Sequence, residues 1–334
     1  MSADFEAVTL PLRRELLVHC YRMMGSPVDA EDQVQETYLR AWRAFHDFDG
    51  RCSVRTWMYR IATNSCLNAL SAASKRVLPQ GLGGPPGDPG AALNARQDVS
   101  WLEPLPASML WQSAAPTPEE RLLGRENITL AWTAALQGLA PNQRAVLLLR
   151  DVLGLSASEV AETLETTDAS VNSALQRARA RVGEGLAEPS SSVDASTESA
   201  AVEAFVDAFE RHDFDAVVAA LADEVTWQMP PFDRWYLGAH QAAALSWTHC
   251  PAAQPGDLRF RVAVLNGGPG VGMYLLKGRQ WEAFQLQALQ VDDSGRIDDV
   301  VGWFEPHLFR LAGLPMVLDD TPSQDRSQEQ TCAS

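Results

Sequence analysis

Between Asp29 and Phe45 apolar and polar positions alternate at helical spacing. Val34, Tyr38, Ala41 and Phe45 form one stripe, and Asp32, Gln35, Glu36, Leu39 and Arg43 form the opposite one. The pattern predicts a single amphipathic helix. His46–Gly50 breaks it, and Ser53 then stands as N-cap of a second helix reaching about Lys75. On that helix Trp57, Arg60, Asn64 and Asn68 recur close to helical spacing, which places an indole, a guanidinium and two amides on one face. A third unit begins at Ser156, where Glu159 completes a capping box. Val160, Ala161 and Leu164 make its inner face, Thr166–Asp168 is a short polar break, and Asp168 or Ser170 can cap the next helix. There Val171, Leu175 and Ala178 point inward and leave Ser170, Asn172, Ser173, Gln176 and Arg177 outside. Two short helices across a tight turn, the second with a polar outer face, predict a helix-turn-helix suited to a major groove.

Beyond Ala200 the period changes. Ala201, Phe205, Ala208 and Phe209 share one helix face, and Asp213 can cap a second short helix to Leu221. Val225–Met229 reads as a strand, Pro230–Gly238 as a rim loop and His240–Thr248 as a helix. Strands follow at Leu258–Leu265, Gly272–Lys277, Ala283–Val291 and Ile297–Phe304, with Asp292–Gly295 as a hairpin turn. Helices followed by a run of antiparallel strands predict an α+β domain.

At 334 residues and 46% apolar content the chain has room for two or three domains. Leu78–Gly90 (LPQGLGGPPGDPG) is Pro/Gly-rich and is expected to hold no regular structure. Trp101–Gln112 (WLEPLPASMLWQ) is different. Its two tryptophans and its leucines are costly to leave in water, so it is expected to dock, on the helix-turn-helix domain or on a functional partner. Glu188–Ser199 (EPSSSVDASTES) reads as a second linker. The predicted division is a helical domain at 1–77, a linker at 78–124, the helix-turn-helix domain at 125–186, a linker at 187–198, the α+β domain at 199–318 and a disordered tail at 319–334.

Charge separates these parts. The net charge is −16, yet no Asp or Glu stands between Gly50 and Gly87, where Arg51, Arg55, Arg60, Lys75 and Arg76 lie. None stands between Ala169 and Gly183 either, where Arg177, Arg179 and Arg181 lie. Two acid-free basic windows on predicted helices point to two contacts with a polyanion. The face carrying Trp57, Arg60 and Asn64 suits splayed bases: the ring stacks, the guanidinium holds phosphate and the amides read base edges. Trp57 taken alone fits a core position better. Residues 187–334 hold 9 Lys/Arg against 22 Asp/Glu, which disfavours nucleic-acid contact there. The five cysteines form no CxxC pair, which argues against structural zinc and for free thiols in a reducing cytosol. No apolar run approaches the roughly 18 residues of a membrane span. A cytoplasmic protein is expected, with no membrane contact, metal or cofactor.

These residues carry a resemblance. DAEDQVQETYLRAWRAF followed by FDGRCSVRTWMYRIATNSCLNAL resembles region 2 of the extracytoplasmic-function sigma factors of the sigma-70 family. LAPNQRAVLLLRDVLGLSASEVAETLETTDASVNSALQRARARV resembles their region 4. The resemblance implies a bacterial RNA polymerase subunit, not an enzyme, that directs promoter recognition and melting through two all-α domains. By position it places Asp32, Gln35, Glu36, Leu39 and Trp42 on the helix that docks on the clamp helices of the polymerase β′ subunit. It places Arg51, Arg55, Trp57, Arg60 and Asn64 at the promoter −10 element, and Ser170, Asn172, Ser173, Arg177 and Arg179 on the −35 recognition helix. Trp101 and Leu102 are the expected regulatory docking strip.

Residues 199–318, with MPPFDRWYLG, resemble the SnoaL-like branch of the nuclear transport factor 2-like superfamily. That resemblance implies an α+β cone whose curved sheet wraps a helix around an apolar pocket, and its relatives include isomerases. Asp233, Tyr236 and His240 are the catalytic candidates near the rim, with Trp227, Tyr274, Trp281 and Trp303 as pocket walls. An isomerase needs a carboxylate base inside an apolar pocket. Asp233, between Pro231 and Trp235 in an apparently exposed loop, is poorly placed for that. The favoured reading is a sigma factor whose C-terminal domain regulates it, either through an intramolecular partner or through a small-molecule ligand. The rivals are a SnoaL-like isomerase or hydrolase tethered to a DNA-binding region, and a helix-turn-helix regulator that never joins polymerase.

Overall fold

The computed structural model describes residues 3–71, 74–110, 128–183 and 193–319. Helices α1 (Ala3–Thr9), α2 (Arg13–Met24), α3 (Pro27–Ala44) and α4 (Val54–Leu70) form a first helical unit. α3 begins two residues before the expected Asp29, because the Ser26 side chain accepts from the Asp29 N–H and Pro27 opens the helix. Ser53 caps α4 as expected, but α4 stops at Leu70 rather than near Lys75. At its end the Ser71 hydroxyl donates back to the Asn68 carbonyl, which takes up an acceptor of the last turn.

After a single turn at α5 (Ala107–Leu110), a second helical unit comprises α6 (Leu130–Gln137), α7 (Pro141–Leu147), α8 (Ala157–Thr163) and α9 (Asp168–Gly183). Both bonds of the Ser156–Glu159 capping box are present. α9 is capped by the Thr167 hydroxyl, which accepts from the Ser170 N–H, rather than by Asp168 or Ser170. Val171, Leu175 and Ala178 are buried, as their spacing requires. The two units share one apolar cluster, in which Leu16, Met58 and Ala62 of the first join Leu136, Val146 and Leu147 of the second.

The third part runs α10 (Ala195–Glu210), α11 (Phe214–Ala220), β1 (Leu221–Gln228), β2 (Trp235–Leu237), α12 (Ala239–His249), β3 (Leu258–Leu265), β4 (Gly268–Lys277), β5 (Gln280–Val291), β6 (Ile297–Trp303), α13 (Pro306–Leu311) and β7 (Val317–Leu318). The sheet order is β2-β1-β6-β5-β4-β3, with β7 on β5. β1 and β6 are parallel and the other pairs antiparallel. The segment expected as a rim loop contains β2, whose Tyr236 lies opposite Trp227 and is buried.

Both faces of this sheet are covered, so several strands read as near-continuous apolar runs. On one face Trp227, Val271, Met273, Leu289 and Val300 pack against Phe205 and Phe209 of α10. On the other, Tyr274, Leu286, Val301 and Trp303 pack against Leu78 and Leu102 of the linker and Phe309 of α13, with Trp281 at the margin. Of the four aromatic residues expected to wall the cone, only Trp227 faces it. Side chains alternate along a strand, and the other three fall on the linker side.

The linker is held by that domain. Apart from a 3₁₀ turn at Pro79–Leu82 the Leu78–Gly90 stretch forms no helix or strand. The Gly87 N–H donates to the Trp235 carbonyl at 2.7 Å, and the Trp235 indole donates to the Gly84 carbonyl at 2.8 Å. Leu102 is 0% exposed, and the Trp303 indole donates to its carbonyl at 2.8 Å. The strip therefore docks on both sides: Leu102 packs on the third domain, while Leu105 and Leu110 join the apolar cluster of the two helical units. Its end from Trp111, the linker to residue 124, residues 187–192 of the second linker and the tail from residue 320 lie outside the described residues. Beyond Asp194, which caps α10, the expected second linker is already helix.

Candidate nucleic-acid interfaces

The outer stripe of α3 is open. Asp32, Gln35, Leu39 and Trp42 are exposed, and Glu36 is half-buried and pairs with Arg40 at 2.6 Å, one turn on. Leu39 is 49% and Trp42 48% exposed. With Gln35 and Tyr38 they line a shallow, mostly apolar groove of about 320 Å³.

The face expected on α4 is divided. Trp57 turns toward the helix junction, with its ring centroid 4.9 Å from that of Phe48 and 6.3 Å from that of Phe45. Arg51 pairs with Asp49 at 2.6 Å. Arg55 pairs with Glu15 at 2.8 Å and lies over the Tyr59 ring. Arg60 and Asn64 instead point at the second helical unit. The Arg60 guanidinium meets the Glu162 carboxylate of α8 at 2.7 Å, and the Asn64 amide donates to the Thr163 carbonyl at 3.4 Å. Asn68 is exposed.

On α9, Ser170, Asn172, Ser173 and Arg177 are all exposed, and the Arg177 guanidinium donates to the Ser173 hydroxyl at 2.6 Å. Arg179 forms an ion pair with Asp151 of the same unit at 2.6 Å, so its guanidinium is tied back to its own domain. Burial, and then the nearby charges of Arg181 and Arg144, lower the Lys75 ammonium pKa.

Two residues that carry this arrangement had no signal in the sequence. Arg144 is 2% exposed, and it donates to the Met23 carbonyl and to the Gln137 side chain. Gln137 donates to the Arg22 carbonyl at 3.1 Å. Both serve the last turn of α2, where a cation meets the negative end of the helix dipole. Burial lowers Arg144 to about 10, so it stays charged at neutral pH. Its pattern in the sequence is that of any cation on a short helix.

In the third domain Asp233 is not in an exposed loop. The Asn94 amide of the linker donates to its carboxylate at 2.6 Å, and the Asp233 N–H donates to the Asn94 carbonyl at 3.1 Å. His240 lies in the first turn of α12, edge-on to Phe214. The concave face carries amides: Gln287 donates to Gln285 at 2.6 Å, and Gln285 lies over Gly302, where a Cβ would come within 2.5 Å of it. Asp299, whose carboxyl burial pushes up to about 6, bonds to Thr226 and Gln228. The Gln228 side chain accepts from the Gln80 N–H of the linker, so this acid sits on the linker side of the sheet.

Among the described residues Cys20, Cys52, Cys66 and Cys250 are free thiols. No group of three potential metal ligands comes together among those residues, and no helix is long and apolar enough to cross a membrane.

Sigma-70 region 2 matches residues 11–76, Sigma-70 region 4 matches 129–182 and a SnoaL-like domain matches 202–270. The ECF RNA polymerase sigma factor SigG of Mycobacterium tuberculosis is 46% identical over 316 residues, covering 93% of this chain and 84% of that one. The RNA polymerase sigma-H factor of Pseudomonas aeruginosa is 29% identical over 182 residues, covering 54% and 86%. The crystal structure of the Mycobacterium tuberculosis extracytoplasmic function sigma factor SigJ shares the fold, with a TM-score of 0.62 at 23% identity over 94% of this chain and 99% of that one. Two sigma regions in order, a third domain behind them and 46% identity to SigG over most of the chain lead to one conclusion: the chain belongs to the extracytoplasmic-function sigma factors, the subunits that direct RNA polymerase to promoters.

Proposed function

We propose that α3 docks on the clamp helices of polymerase β′ through Asp32, Gln35, Glu36, Leu39 and Trp42. Arg51, Arg55, Trp57, Arg60 and Asn64 handle the −10 element. Ser170, Asn172, Ser173 and Arg177 read the −35 element, with Arg179 beside them. The domains span 1–77, 125–186 and 199–318, and the protein works in the cytoplasm. The observation that carries the polymerase assignment is the half-exposed pair Leu39 and Trp42, apolar surface that a partner must cover. Run-off transcription with purified core polymerase tests the reading. Specific product that appears only when the chain is added supports it, and product no different from that of core alone sinks it.

On α9 the assignment separates two arginines. A bidentate side-chain contact to a base contributes about 1–3 kcal/mol. Arg177→Ala is therefore expected to relax preference at one base pair, while Arg181→Ala weakens binding evenly and lowers its salt dependence. Binding titrations on single-base promoter variants check this. Equal effects of both changes on every variant would count against the register.

The third domain is a regulator rather than a catalyst in this reading. The amides on its concave face do not exchange protons near neutral pH, Asp233 is held by Asn94, and Asp299 faces the linker. Its partner is intramolecular: the linker it already binds through Leu102, Gly87 and Asn94.

A further inference from the structure

The β3–β4 hairpin turns through Asn266 and Gly267, both at positive φ (52° and 74°). This is the two-residue turn that Asn-Gly favours. A polar hairpin tip ordinarily faces water, but Asn266 is 3% exposed. Its amide nitrogen donates to the Tyr21 hydroxyl of α2 at 2.9 Å and to the Ile128 carbonyl ahead of α6 at 2.8 Å. Its amide oxygen accepts from the Leu105 N–H of the linker at 2.9 Å, and its backbone N–H donates to the Leu105 carbonyl at 2.8 Å. The Tyr21 hydroxyl donates onward to the Glu103 carbonyl at 2.9 Å. One side chain of the third domain thus bonds both sigma units and the linker.

What it helps to hold together covers part of the proposed DNA surface. Glu162 occupies the Arg60 guanidinium, and the Thr163 carbonyl occupies the Asn64 amide. While α8 lies on α4, both groups are engaged there rather than free to bind DNA. This end of the contact is weakly held on its own account. The Arg60–Glu162 pair is exposed, and exposed pairs contribute little. Lys75 also faces the like charges of Arg181 and Arg144. Arg144 and Gln137 fasten the α2 end from within the sigma units, and Asn266 adds the bonds through which the third domain acts on the same junction.

We propose that Asn266 is the positioning residue by which the C-terminal domain keeps region 4 seated over Arg60 and Asn64, so that DNA reaches these side chains only when the hairpin tip withdraws. The consequence for DNA rests on the −10 reading above; the clasp itself does not.

Asn266→Gly in the full chain tests it, because glycine keeps the positive-φ turn and removes only the amide. Nitroxides on Cys52 and on Gln176→Cys, with Cys250 and Cys332 changed to serine, report the separation of the two units. A fluorescent oligothymidylate reports access to α4. The expected result is a longer, broader distance distribution and about tenfold tighter oligonucleotide binding; misfolding would lower that binding, not raise it. Tyr21→Phe, which deletes one hydroxyl, should move both readouts the same way by less. An unchanged distance distribution in both variants overturns the clasp. A lengthened distance without tighter binding overturns the control of DNA access. Adding Arg60→Ala to Asn266→Gly should abolish the gain; a gain that survives it would sink the −10 reading and leave the clasp standing.

Discussion

A chain carrying Asp32→Lys and Glu36→Lys is expected to fold normally and to lose core polymerase. Asp32 is exposed and Glu36 only half-buried, and the pair Glu36 makes with Arg40, one turn along the helix, is of a kind that contributes about 0.3–0.5 kcal/mol. Thermal unfolding should therefore move little. Binding is another matter. The two carboxylates sit on the same stripe as the groove formed by Leu39 and Trp42. Like-charge juxtaposition in an interface costs several kcal/mol, and about 3 kcal/mol already weakens binding on the order of a hundredfold. Titration of labelled core polymerase, with melting curves as the folding control, measures both. Pull-down of core at native strength by the double variant would remove α3 from the interface.

The second large effect is expected from Trp101→Ala combined with Leu102→Ala. These neighbours face different partners. Trp101 bridges to Val77, and its carbonyl accepts from Arg76, which also pairs with Asp29 of α3 at 2.7 Å. Leu102 is buried among Tyr274, Leu286 and Trp303 of the third domain. The strip therefore ties region 2 to the regulator. Truncating a buried leucine typically costs about 2–5 kcal/mol and a tryptophan about 3–5, so the hold of the strip on region 2 and on the third domain is expected to weaken sharply. The released linker should become protease-sensitive, and run-off transcription should rise several-fold. A chain ending at Glu188 should show the same rise. If both variants transcribe at the native level with an equally protected linker, the third domain is a passenger.

Local signals were legible in the sequence because their causes lie within a few residues. Ser53, Ser156 and Asp213 cap their helices through bonds to amides three positions on, and those pairs can be read from spacing. The inner faces of α9 and α10 follow from helical period in the same way. The two sigma regions were recognisable for that reason, and with them the family.

Faces and partners were decided elsewhere. A sheet covered on both sides is apolar on both, so alternation alone could not tell that Trp227 faces the cone while Tyr274 and Trp303 face the linker. Trp57 shares a helical stripe with Arg60, but Phe45 and Phe48 draw its ring away from that face. Arg60 and Glu162 are 102 residues apart, and Asn266 and Tyr21 are 245 apart. Nothing local couples such positions; only the docking of whole units brings the guanidinium to the carboxylate and buries the hairpin tip. By itself the sequence determined the helices that carry the basic windows and the family they belong to. The tertiary structure decided which of those basic side chains are free to meet DNA, because each is either open to solvent or already bonded to a residue far along the chain.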